Sequence, residues 1–153
     1  MKKENKYYLK TLIALTFVAL HITPLIAQVG AQKKLINPNF ADAESLQSVK
    51  HFTKESADSL IRERPYLSLE KLHKHLTSEF NADQVKEILS ELCVKLNINK
   101  ADQKSLLLIP NLGPKMAHEV DEYRPYVSYK QFRKEIGKYV SKKEVARLEQ
   151  YFF

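Results

Sequence analysis

The chain has one cysteine, no tryptophan and only three glycines among its 153 residues. A lone cysteine, Cys93, excludes an internal disulfide, so the fold must be held by its apolar core, in which Cys93 most simply serves as a small buried hydrophobe between two repeated segments. A long apolar run is also missing. Residues 11–20 are mostly apolar, but His21 and Pro24 follow, and a spanning helix needs about 20 apolar residues. No nucleophile motif, phosphate-loop fingerprint or acid–base constellation occurs, and the adjacent Asp121 and Glu122 read as solvated charges. The expectation is a protein that is not an enzyme and uses no cofactor. Metal spacing is absent too. His73 and His75 lie two apart on an expected helix and point to different faces, and His51 and His118 have no ligand-spaced partner, so no metal site is expected.

The N-terminus carries Lys2, Lys3, Lys6 and Lys10, then the short apolar run, then small residues. That order is the pattern of a signal peptide over residues 1–31, with cleavage after Ala31 or Ala27 and a mature chain starting at Gln32 or Gln28. No stable membrane insertion is expected after cleavage, and the destination is the periplasm or cell envelope. The formal charge of +7 falls to +4 without residues 1–31. Its distribution is uneven: residues 36–92 hold seven Lys/Arg against ten Asp/Glu, whereas residues 93–153 hold twelve against seven. A polyanion is drawn to the second stretch and repelled from the first.

These two stretches are copies of each other. Residues 36–92 align with residues 96–152 at a constant offset of 60, without a gap. Asn37, Asn39, Ala41, Asp42, Arg64, Pro65 and Tyr66 recur as Asn97, Asn99, Ala101, Asp102, Arg124, Pro125 and Tyr126, and apolar positions fall opposite apolar positions. Each copy alone has a marginal core, so the two are expected to pack together.

Apolar residues recur at helical spacing behind helix-starting residues. Asp42, Thr53, Ser68 and Asn81 open helices near 43–51, 54–64, 69–77 and 82–93; Asp102, Pro114, Ser128 and Ser141 open helices near 103–110, 114–123, 129–137 and 142–151. Ser128 with Gln131, Ser141 with Glu144 and Asn81 with Gln84 have capping-box spacing. The fold expected is all-α with eight short helices. In the repeated Arg-Pro-Tyr triplet, proline ends the second helix, tyrosine covers the turn, and arginine either caps the carbonyls ending that helix or reaches a ligand.

Only the second copy keeps a glycine turn, Ile109-Pro110-Asn111-Leu112-Gly113-Pro114-Lys115. Leu112 is expected to plug the gap between two helices, with Ala117 small enough to let them approach. Gly113 is expected to supply a backbone conformation that a side chain would hinder, and Asn111 suits a positive φ. The helix that follows would present the N–H groups of Gly113 and of Lys115 to Ala117, with the Lys115 ammonium beside them, to an anion such as phosphate.

With these residues, the segment 96–153, and more weakly 36–92, resembles the helix-hairpin-helix modules of the ComEA family, exported DNA receptors of natural competence. Asn97-Ile98-Asn99-Lys100-Ala101 resembles the family's opening. Asn111-Leu112-Gly113 with Ala117 resembles its glycine-hydrophobic-glycine hairpin and following small residue, and Tyr126 with Ser128 the entry to its third helix. Asn111 stands where the family has its first glycine, and the counterpart in the first copy is His51-Phe52-Thr53. The resemblance implies two tandem helix-hairpin-helix modules of the SAM-like class, four short helices each. It also implies a grip on the DNA sugar-phosphate backbone without sequence preference. The DNA-binding residues it points to are Asn111, Leu112, Gly113 and Lys115, joined by Lys138, Lys142 and Lys143 around the last helix start. Similar modules also serve protein contacts, so the acidic first copy can be read as a scaffold or as a surface for an envelope protein. Tyr139, Tyr151, Phe152 and Phe153 read as a core seal before they read as base-stacking rings.

Overall fold

The computed structural model describes residues 34–153, so the expected signal segment and its cleavage positions lie outside the described residues. The fold is all-α. Its helices are α1 (Ala43–Gln47), α2 (Lys54–Arg62), α3 (Leu69–Glu79) and α4 (Ala82–Leu89) in the first copy, then α5 (Gln103–Leu106), α6 (Pro114–Glu122), α7 (Tyr129–Ile136) and α8 (Lys142–Glu149) in the second. They pack as consecutive pairs, α1 on α2, α3 on α4, α5 on α6 and α7 on α8. No described helix is long and apolar enough to cross a membrane.

Local side chains account for the helix starts. Asp42, Thr53, Ser68, Asn81, Asp102, Ser128 and Ser141 each accept a hydrogen bond from the backbone N–H three residues on, which satisfies one of the donors a helix leaves unpaired. Reciprocal boxes form at Thr53 with Ser56 and Asn81 with Gln84. The expected boxes at Ser128 and Ser141 are one-sided, because Gln131 accepts instead from Val127 N–H and Glu144 pairs with Arg147. The first helix of each copy is shorter than its periodicity implied. After Leu46 and after Leu106 the chain tightens into turns, with Val49 N–H bonded to Leu46 O and Ile109 N–H to Leu106 O, so the apolar residues continue inward on a narrower winding.

The repeated residues have repeated jobs. Asn39 donates to Tyr66 O at 2.8 Å and accepts from Tyr66 N–H at 2.7 Å; Asn99 does the same to Tyr126 at 2.9 and 2.7 Å. Asn37 and Asn97 each accept from the N–H two residues on at 3.0 Å. The Asn-x-Asn opening is thus a turn followed by a two-bond clamp on the tyrosine backbone. The arginines do not cap the end of the second helix, as the sequence suggested. Arg64 donates to Ala41 O and Arg124 to Ile98 O, because the clamp brings the opening loop, not the helix end, within reach. Both Arg–Pro peptide bonds are cis.

Each copy also closes on itself, since Cys93 N–H bonds to Ile36 O and Phe153 N–H to Leu96 O. One core runs through both copies and includes Leu46, Leu60, Leu72, Ile88, Cys93, Leu106, Phe132 and Phe152. Each leucine, isoleucine or phenylalanine among them contributes roughly 1.5–3 kcal/mol by leaving water. Of the four C-terminal aromatics, Tyr151 and Phe152 are buried, whereas Tyr139 and Phe153 are exposed. Polar contacts tie one copy to the other: Tyr151 Oη donates to Leu89 O at 3.0 Å, and Leu35 N–H to Gln150 Oε1 at 3.0 Å.

One equivalence is inverted. In the first copy Ser59 Oγ donates to Glu79 Oε1 at 2.6 Å. Sixty residues on, the acid is Glu119 on the helix and the hydroxyl is Tyr139, which lies 2.9 Å from Tyr123 Oη and is held above its usual titration range by that contact and by the nearby Glu119 carboxylate.

Candidate nucleic-acid interface

The two copies differ most at the start of their second helix. In the first copy that helix end is filled by its own groups. Thr53 Oγ1 accepts from Ser56 N–H at 3.3 Å, Ser56 Oγ accepts from Thr53 N–H at 2.8 Å, and Glu55 is held below the usual carboxylate range by bonds from the Thr53 hydroxyl and its own N–H. At the equivalent places the second copy has Gly113, Met116 and Lys115. Gly113 offers no side-chain cap to α6, so Lys115 and Met116 present N–H groups without a capping side chain, and the acidic residue has become a cation. Nine residues of aligned peptide dipoles stand behind these amides, a combination that attracts anions.

The turn itself corrects two expectations. Asn111 carries the positive φ, 63°, as His51 does at 70° in the first copy. Gly113 has φ −69° and ψ 169°, which any residue adopts, and a Cβ there would meet nothing within 4 Å. Glycine matters at 113 for the cap it lacks, not for backbone freedom. Ala117 N–H is also not available, since it donates to Gly113 O at 3.0 Å. Leu112 plugs the turn as expected and is 3% exposed, while Asn111, Gly113 and Lys115 are exposed.

The other expected site residues lie elsewhere. Lys138 pairs with Glu135 and stands 4.8 Å from the Tyr123 ring centroid. Tyr123 ends α6 and Lys115 begins it, so these two cations are separated by about 12 Å along the helix at its usual rise. Lys142 and Lys143 are exposed in the first turn of α8, a helix whose start Ser141 already caps. The structure therefore groups Asn111, Leu112, Gly113 and Lys115, and sets Lys138, Lys142 and Lys143 around a second turn.

A feature the sequence concealed lies beside the turn. Residues 107–114 form one wall of an open cleft of about 670 Å³, whose other wall is α3 and α4 of the first copy, with His73, Thr77, Ala82, Val85, Lys86 and Leu89. No aspartate or glutamate lines it. The first copy's own turn is closed off instead, because Glu87 bonds His51 Nε2 at 2.5 Å and Lys50 Nζ at 2.7 Å. These two bonds hold Glu87 below the usual carboxylate range. The position sixty residues on is Arg147. Each substitution could be read in the sequence, but the cleft depends on how the copies dock.

Compared with known protein families, curated proteins and solved structures, the chain matches none.

Proposed function

We propose that this is an exported, non-catalytic DNA-binding protein that holds the phosphate backbone without sequence preference at the α5–α6 turn, with helix-hairpin-helix modules like those of the ComEA family and a role in DNA uptake. The observation that carries the reading is the contrast between the two second-helix starts. One is saturated by Thr53, Glu55 and Ser56; its duplicate is bare and flanked by Lys115. A phosphate oxygen at that end would accept N–H bonds from Lys115 and Met116 while the ammonium neutralises its charge. Backbone donors carry no base preference, so the grip is blind to sequence. The net charge of the second copy draws the polyanion toward this end.

A second reading is favoured by one observation: Phe40 and Leu67 are 86% and 83% exposed on the acidic copy, a surface suited to an envelope protein. A titration of the protein with a duplex of random sequence at two salt concentrations separates the readings. DNA binding predicts affinity that falls steeply with salt and is equal for unrelated sequences. No binding at low salt leaves the adaptor role as the better account.

A further inference from the structure

The cleft beside the turn bears on what the first copy does. Its seven Lys/Arg are mostly committed. Lys50 pairs with Glu87 and Lys54 with Asp58, Arg64 donates to Ala41 O, and Lys71 donates to the carbonyls of Glu63 and Pro65. Among the described residues that leaves Arg62, Lys74 and Lys86. Lys74 shares its surroundings with Glu63 and Glu79, whereas Lys86 lines the cleft that has no carboxylate and whose other wall is the turn before Lys115. Its counterpart in the second copy is Ala146, so the repeat fold does not require a lysine there.

Resting on the function proposed above, we infer that the DNA contact is bipartite: the backbone of the duplex runs along the mouth of the cleft, with Lys86 of the first copy as a phosphate-binding residue on the wall opposite the α5–α6 turn. The lining suits this occupant. Leu107 and Leu108 offer apolar surface to the carbon faces of deoxyribose, while Lys86 takes a phosphate. The net negative charge of the first copy does not forbid it: of the acids beside Lys86 on α4, Glu87 is paired with Lys50 and His51, and neither it nor Asp83 lines the cleft.

The test compares Lys86→Ala, Lys115→Ala, the double variant and Lys74→Ala in the full chain, each checked for fold by circular dichroism. Affinity for one labelled duplex is measured as a function of salt. One phosphate contact contributes to the binding constant as the salt concentration to the power of about −0.9, or roughly eightfold at 0.1 M and twofold at 0.5 M. Lys86→Ala should lose that factor and lower the salt slope by about one; Lys86→Arg should keep both, the double variant should lose both factors, and Lys74→Ala should match the parent. If Lys115→Ala weakens binding while Lys86→Ala leaves affinity and slope unchanged, the bipartite contact is wrong and the turn remains the site. If neither lysine matters while the parent binds, the bipartite contact is wrong; if the parent itself does not bind, the proposed function fails together with the inference.

Discussion

Replacing Gly113 by aspartate should raise stability and lower DNA affinity in the same protein. The backbone at 113, φ −69° and ψ 169°, nearly coincides with that of Asp102, φ −75° and ψ 167°, which accepts from Ser105 N–H at 2.7 Å. With nothing within 4 Å of a Cβ at 113, the new carboxylate can reach Met116 N–H in the same way. A cap in place of glycine is worth a few tenths of a kcal/mol, and a negative charge at a helix start adds about 0.3–1 kcal/mol. The sum, about 1 kcal/mol, raises the melting temperature by roughly 4 °C in a domain of this size. The same carboxylate removes an N–H from the phosphate and repels it. A hydrogen bond to a charged group is worth about 1.5–3 kcal/mol, so affinity should fall roughly 10- to 100-fold. Thermal melting by circular dichroism and fluorescence anisotropy with a labelled duplex, on the same samples at about 0.1 M salt, read the two effects. Gly113→Ala is the control: it fits the space, brings no acceptor, and should bind like the parent. A Gly113→Asp protein that melts higher yet binds DNA as the parent does would show that the α6 amides hold no phosphate, and the reasoning from the uncapped helix would fall.

The strain in the turn belongs to Asn111: Asn111→Ala should cost roughly 1 kcal/mol, because alanine tolerates φ near 63° poorly, and Asn111→Gly should cost nothing, as chemical denaturation will report. Asp102 is held below its usual range by bonds from Ser105, so its stabilising effect is present above the unfolded value of about 3.9 and is lost as pH falls through the lower folded value. Asp102→Asn keeps the cap, as Asn81 does in α4, and should flatten the loss of melting temperature between about pH 4 and pH 2; an unchanged acid profile would exclude Asp102 as its source.

How much of this was legible depended on the range of the interaction. Helix starts were readable because Asp42, Asn81 and Ser141 act on N–H groups three residues away. The end of α5 was not, since the apolar spacing of Leu106 and Ile109 is the same whether the backbone continues as helix or tightens into turns. Arg64 and Arg124 were misassigned because their acceptors lie 23 and 26 residues back. At the site, the uncapped start of α6 stood in the sequence as Gly113 opposite Thr53. The cleft wall of His73 and Lys86 did not, because nothing local to α3 or α4 records what docks against them.

The inverted pair at Ser59–Glu79 and Glu119–Tyr139 has a consequence for a chain built from two copies of one fold. Two similar halves invite a helix of one to seat in the partner site of the other during folding. Such an exchange would put Glu119 beside Glu79, two like charges, and Ser59 beside Tyr139, two hydroxyls without the carboxylate that each half supplies. Exchanging acid and hydroxyl in only one half thus puts a like-charge contact on the wrong pairing and none on the right one, a mark carried at the surface of each half.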